Sequence, residues 1–163
     1  MRFLSGKEEQ EAIKYMKKAA EIALNSKCLR SKCGAIIVKD NEIIGTGYNS
    51  PPGDKIPEKC FKDDLPEDFI SDKTCCIHAE DRAIRDVLIK NPDKILGSAL
   101  YFLRLNKNND IEKAGKPYCT WCSKTALDVG LAEFVLWHEE GICAYATKQY
   151  NNISFRLKQD QNL

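Results

Sequence analysis

The sequence has no long uninterrupted run of apolar residues. The first ten residues, MRFLSGKEEQ, are already charged and contain no apolar stretch of signal-peptide length. All other apolar runs are far shorter than the roughly 20 residues that a membrane-spanning helix needs. We therefore expect a soluble, cytoplasmic protein without membrane contact.

Net charge is almost absent as well. Lysine and arginine total 25 against 24 acidic residues, which gives a formal charge of +1. A chain so nearly neutral has no overall field that would attract nucleic acid or an anionic membrane. Nucleic acid is therefore a disfavoured partner, and any anionic ligand must be met by a local site.

Glycine and proline are scarce, with 9 and 6 residues in a chain of 163 that is 43% hydrophobic. No repeat, low-complexity tract or domain linker is evident, so we expect a single domain over residues 1–163. Eight cysteines are present, but a chain of this size can fold without disulfide cross-links. We expect reduced thiols.

Hydrophobic periodicity predicts a helix over about residues 7 to 25, preceded by a capping box at Ser5 and Glu8. The later elements are a hairpin of GAIIVK and EIIGTGY, the helix HAEDRAIRDVLIK, the strand SALYFLRL, the helix CTWCSKTALDVG and the strand AEFVLWH. This order predicts an α/β fold with a mixed sheet of about five strands covered by helices. Residues 49–76 are predicted to be a long loop, and 143–163 a variable C-terminal segment.

Two short motifs at predicted helix starts point to a metal site. Cys119 and Cys122 are three residues apart, so their sulfurs can reach one ion, and His78 can add an imidazole from the other helix. Two thiolates and one imidazole suit zinc, and three protein ligands leave one position open for chemistry. Glu80, two residues after His78, is placed to transfer protons.

These motifs resemble those of a known family. HAE at residues 78–80, followed by CTWCSKTALDVG, resembles the zinc-dependent base deaminases of the cytidine deaminase superfamily. The stretch CLRSKCGAIIVKDNEIIGTGYNSPP is similar to the N-terminal block of the deoxycytidylate (dCMP) deaminase group. The resemblance implies a three-layer α/β/α sandwich, a homo-oligomer and zinc-dependent deamination of a small nucleotide or nucleoside. The reaction that the resemblance favours is the conversion of dCMP and water to dUMP and ammonia.

The resemblance also implies roles for individual residues. By it, Glu80 protonates the ring nitrogen and the departing amine, and the backbone near Ala79 orients the base. Asn49 matches an asparagine that contacts the sugar region, and Arg30 lies near the phosphate side. Tyr118 and the long 106–116 loop depart from the family pattern, so the base, sugar and phosphorylation state of the substrate stay open.

Other interpretations remain beside this one. The C-x-x-C could be a redox pair, or a closed structural zinc site completed by Cys75, Cys76 or His138. Some relatives carry a second, structural metal in the region of Cys60, Cys75 and Cys76, but no matching ligand set is evident here, and buried or surface thiols are the favoured interpretation. Cys28, Cys33 and Cys143 are most simply small apolar residues. Competing functions are deamination of cytidine or guanine compounds, editing of transfer RNA, and a non-catalytic zinc module.

Overall fold

A single mixed sheet forms the centre of the protein. The computed structural model describes residues 1–66 and 75–156, and this part of the chain contains seven strands in the spatial order β1-β7-β6-β4-β2-β3, with β5 paired to β4. The strands are β1 (Arg2–Phe3), β2 (Lys32–Lys39), β3 (Glu42–Tyr48), β4 (Ala99–Leu105), β5 (Ile111–Glu112), β6 (Glu133–His138) and β7 (Gly141–Ala146). Strands β4 and β6 are parallel, and the other neighbours are antiparallel.

Helices cover both faces of the sheet. The described residues form four α-helices, α1 (Gly6–Ala23), α2 (Ala79–Lys90), α3 (Thr120–Asp128) and α4 (Thr147–Arg156). One apolar cluster joins α1 to one face of the sheet, and a second cluster joins α2, α3 and α4 to the opposite face. The predicted three-layer sandwich is thus confirmed. None of the helices in the described ranges is long and apolar enough to cross a membrane.

Two details of the predicted elements were wrong. The sheet has seven strands rather than about five, because β1 and β5 have only two residues each and show no periodicity. Ser5 is the N-cap of α1, but its side chain makes no capping hydrogen bond. Glu8 instead forms an ion pair with Arg2 at 2.7 Å, so the capping box does not form.

The long predicted loop is closed at its base. The backbone N–H of Ser50 donates to the carbonyl of Ile77 at 3.2 Å, and the N–H of Ile77 donates to the carbonyl of Ser50 at 2.9 Å. Between them lie two short 3-10 turns, Pro52–Asp54 and Phe61–Asp64, while residues 67–74 of the predicted loop are outside the described residues. The bridge fixes the backbone immediately before His78.

Helix α2 packs unusually close to β3 because glycine faces it. A methyl group built at Gly47 would lie 2.2 Å from the carbonyl oxygen of Ala79 and 2.4 Å from the amide nitrogen of Ala83. Both neighbours are backbone atoms, so a side chain at Gly47 could be accommodated only by moving the helix. This glycine therefore sets the position of the first turn of α2 relative to the sheet.

We expect Gly47→Ala to destabilise the fold by about 3 kcal/mol, since overpacking against fixed backbone typically costs 1–3 kcal/mol or somewhat more. Equilibrium unfolding in urea measures the effect as a lower midpoint with an unchanged slope. Gly115→Ala is the matched control because a methyl group there meets nothing within 4 Å. Equal midpoints for the two variants would contradict the packing argument.

Candidate active site

Two helix N-termini bring three metal-binding side chains together. His78 is the N-cap of α2, Cys119 is the N-cap of α3, and Cys122 lies in the first turn of α3. The Nδ1 atom of His78 is 3.3 Å from the sulfur of Cys119 and 3.3 Å from the sulfur of Cys122. The three donor atoms lie within 4.8 Å of one another.

This spacing fits one tetrahedral zinc ion. Zinc bonds of about 2.0–2.1 Å to nitrogen and 2.3 Å to sulfur place the two donor types about 3.6 Å apart, close to the observed 3.3 Å. In the described ranges, no other group of three histidine, cysteine or acidic side chains comes so close together. His138 does not join the cluster, since its ring nitrogens contact Ala114 and Tyr145.

The helix ends also favour negative charge on sulfur. The backbone N–H of Cys122 donates to the sulfur of Cys119 at 3.4 Å. Hydrogen bonds from the Cys122 thiol, from His78 and from this N–H lower the pKa of Cys119 to about 4. The same thiol–thiolate contact, with burial, raises the pKa of Cys122. One thiolate is thus already favoured, and metal binding releases the proton of the second.

Glu80 lies beside the cluster and is buried. Only 5% of its surface is exposed, and the Cys122 thiol is within hydrogen-bonding reach of its carboxylate. Burial raises the pKa of Glu80 to about 7, with the positive charge of His78 acting in the opposite direction. A carboxyl group with a pKa near neutrality can both accept and return a proton.

A comparison of the sequence with protein families agrees with a zinc site at these residues. The model of the cytidine and deoxycytidylate deaminase zinc-binding region matches residues 9–138, which include all three clustered ligands and Glu80. The chain belongs to this zinc-binding deaminase family. It is therefore an enzyme of the deaminase class with zinc as its cofactor, and the predicted family, class and cofactor are confirmed.

Curated relatives of the deaminase are similar over part of its length. A deoxycytidylate deaminase of Mycobacterium phage D29 is 35% identical over 94 residues, which are 53% of this chain and 71% of the relative. A deoxycytidylate deaminase of Saccharomyces cerevisiae is 35% identical over 75 residues, which are 43% of this chain but only 23% of the yeast protein.

Solved structures share the fold of the deaminase. The dCMP deaminase of cyanophage S-TIM5, in complex with dCMP and dUMP, is 26% identical with a TM-score of 0.51, over 80% of this chain and 82% of that one. The cytidine deaminase of Burkholderia pseudomallei has a TM-score of 0.57 at 14% identity, over 85% of this chain and 94% of that one. The second likeness concerns the fold alone.

A cavity of about 430 Å³ opens beside the cluster. Two predicted substrate contacts, Asn49 and Ala79, line it together with Glu80. The Asn49 oxygen accepts hydrogen bonds from Ser26 at 2.8 Å and from the N–H of Cys33 at 2.7 Å. The oxygen of Asn49 is thus occupied, and its Nδ2 donates to the carbonyl of Ser31 at 3.0 Å, so one amide N–H of the side chain is available for a ligand.

The third predicted contact, Arg30, lies elsewhere. Its side chain is about half exposed, is 3.8 Å from Asp63 and is not among the residues that line the cavity. The role of Arg30 near a substrate phosphate remains a prediction. The sequence interpretation missed the cations that do line the cavity, Lys62, Arg104, Lys113 and Lys116. The available signal for Lys113 and Lys116 was the lysine-containing 106–116 loop, which was noted only as a departure from the family.

Four other cysteines lie in two pairs. The sulfurs of Cys60 and Cys75 are 3.6 Å apart. Burial and a hydrogen bond with Cys28 raise the pKa of Cys76 to about 12. Cys28 is half-buried rather than part of the core, unlike Cys33 and Cys143. A second metal at Cys60, Cys75 and Cys76 was an alternative to buried or surface thiols, and it stays open.

Proposed function

We propose that this deaminase converts dCMP and water to dUMP and ammonia. The observation that carries the proposal is the position of Glu80, buried at the wall of a nucleotide-sized cavity and directly beside His78, Cys119 and Cys122. A purely structural zinc site would not need a buried carboxyl group next to an open cavity.

The comparisons support the choice of dCMP. Both curated relatives reported above are deoxycytidylate deaminases, and the cyanophage structure holds dCMP and dUMP. Four cationic side chains are also among the residues that line the cavity, which suits an anionic ligand better than a free base. Nearly zero net charge makes this local concentration of cations the main electrostatic feature available to a nucleotide.

The chemistry assigns separate tasks to the site residues. His78, Cys119 and Cys122 hold the zinc ion, which when bound supplies Lewis acidity that lowers the pKa of water. Glu80 takes a proton from the attacking water and delivers it to the N3 atom of cytosine. It then takes the remaining proton from the hydroxyl group added at C4 and delivers it to the amino nitrogen, which leaves C4 as ammonia. Ala79 and Asn49 line the cavity and orient the base and the sugar.

Ammonia release across a substrate panel tests the proposal. We expect zinc-loaded protein to deaminate dCMP with a kcat/KM at least about tenfold above that for deoxycytidine or cytidine, since these nucleosides lose a charged contact that contributes about 1.5–3 kcal/mol. CMP keeps the phosphate, so its turnover relative to dCMP measures the selectivity for the sugar alone. Guanine and adenine compounds, and a stem-loop RNA, should release no ammonia. Preferential turnover of a guanine compound or of the RNA would overturn the assignment of dCMP.

A further inference from the structure

The segment between β4 and α3, residues 106–119, is an ordered part of the cavity wall. Its first turn is held by Asn106, whose side-chain oxygen accepts the N–H groups of Asn108 at 2.8 Å and Asp110 at 2.9 Å. The chain then returns along β4 as β5, with Glu112 opposite Arg104. This hairpin directs the following residues toward the cavity.

The next residues are fixed to the end of β6. The N–H of Ala114 donates to the carbonyl of Trp137 at 2.7 Å, and Nδ1 of His138 is 2.9 Å from the carbonyl of Ala114. Because a carbonyl can only accept, Nδ1 of His138 carries the proton. Its Nε2 atom then accepts the hydroxyl of Tyr145 at 2.8 Å. His138 thus holds the Ala114 backbone on one side of the cavity.

Cations gather where this segment meets the cavity. The cavity is lined by four cationic side chains and one acidic side chain near them: Lys62, Arg104, Lys113, Lys116 and Glu112. Since the whole chain has a formal charge of +1, this is a local concentration of positive charge.

The four cations are not equally available. The Lys113 ammonium lies over the Trp137 ring, 3.8 Å from its centre, while Arg104 is 3.9 Å from Glu112 in an exposed pair that contributes little. None of the ion pairs formed within the described ranges involves Lys116. Lys62 also forms no ion pair there, but its charge acts on His78 at the metal cluster. Lys116 and Arg104 are therefore the cations best placed to receive an anion away from the cluster.

We propose that Lys116 and Arg104 bind the phosphate of a nucleotide substrate, and that His138 positions Lys116 by holding the backbone of Ala114. This inference rests on the proposed function for the base, because His78, Glu80 and Cys119 line the cavity where the base would react. Arg104 and Lys116 are exposed cavity residues that are left for the rest of the ligand. It assigns phosphate recognition to Lys116 and Arg104, in and next to the 106–116 loop that departs from the family pattern, and not to Arg30.

Equilibrium binding to zinc-loaded Glu80→Gln protein tests the inference without turnover. The quantity measured by calorimetry is the Kd for deoxycytidine divided by the Kd for dCMP. With Lys116 and Arg104 intact, we expect a ratio of about 100, since each charged contact contributes roughly tenfold. Adding Lys116→Gln or Arg104→Gln should reduce the ratio about tenfold.

Two controls locate the phosphate. Lys107→Gln removes an exposed lysine of the same segment that does not line the cavity, and Arg30→Gln removes the arginine named from the family resemblance. Neither should change the ratio. Loss of selectivity in Arg30→Gln with an unchanged ratio in Lys116→Gln and Arg104→Gln would overturn the inference, as would a ratio near one before these residues are changed.

The positioning role of His138 has its own signature. His138→Ala should lower the selectivity ratio as Lys116→Gln does, whereas His138→Asn should restore it, because the asparagine amide can donate to Ala114 in place of Nδ1. An equal ratio in both His138 variants would overturn this part of the inference. Failure of the proposed function is distinguishable, since wild-type protein would then release no ammonia from dCMP while phosphate-dependent binding persisted.

Discussion

Replacing Glu80 by glutamine is expected to leave zinc bound and to lower the rate of ammonia release from dCMP at least about a thousandfold, within the 10²–10⁴ range for lost general acid–base catalysis. Glutamine keeps the size of the side chain and its hydrogen-bonding capacity but cannot carry the proton. Metal analysis and single-turnover kinetics on the same preparation separate the two effects.

The control for this experiment is Glu112→Gln. Glu112 is the other carboxylate of the cavity, but it is about half exposed and pairs with Arg104 rather than approaching the zinc ligands. We expect its removal to change the rate less than about tenfold, as an exposed ion pair contributes at most about 1 kcal/mol. Turnover by Glu80→Gln comparable to that of Glu112→Gln would contradict the proton-transfer role.

Replacing Cys122 by serine is expected to abolish zinc binding, and with it ammonia release. Cys122 is completely buried and its sulfur is one of three clustered donors. A serine hydroxyl is a poor substitute for a thiolate, so zinc bound at this cluster should fall from one ion per chain to almost none, with loss of all measurable ammonia release. Metal analysis after dialysis measures the stoichiometry.

The free energy of unfolding should increase when zinc binds. A ligand present at 1,000 times its Kd stabilises the folded state by about 4 kcal/mol, so added zinc should raise the urea midpoint of the wild-type protein but not that of Cys122→Ser. Cys143→Ala is the matched control, because Cys143 is just as buried and lies outside the donor cluster. A zinc-dependent shift in Cys122→Ser equal to that in Cys143→Ala would contradict the assigned ligand set.

Local sequence signals were sufficient to predict contacts between residues that are close in sequence. The hairpin between β2 and β3 was predicted from Asp40 and Asn41, and both residues have positive φ angles, 50° and 64°, which aspartate and asparagine tolerate. The HAE and C-x-x-C motifs likewise contain their own helix starts. Spacing therefore predicted that Cys119 and Cys122 share one ion, whereas the approach of His78, 41 residues before Cys119, was predicted from the combination of the two motifs.

Long-range contacts could not be predicted in the same way. Cys28 is adjacent to Cys76 only because the long loop returns to the start of α2, and its sequence neighbourhood contains no sign of that return. The C-terminal region was ambiguous because β7 and α4 follow each other without an intervening turn signal. Homo-oligomerisation and a cytoplasmic location remain predictions, since neither follows from the fold of one chain.

The two hydrogen bonds between Ser50 and Ile77 have a consequence for how such chains diverge. The loop begins just after β3 and ends just before α2, and Ser50 and Ile77 join its two ends, so insertions or deletions between them need not change strand register or the position of α2. Doubling the length of a flexible closed loop costs only about 0.6 kcal/mol of entropy. Changes of length between Ser50 and Ile77 that keep Lys62 at the cavity and Asp54 beside Arg82 are therefore the ones that cost the catalytic framework least.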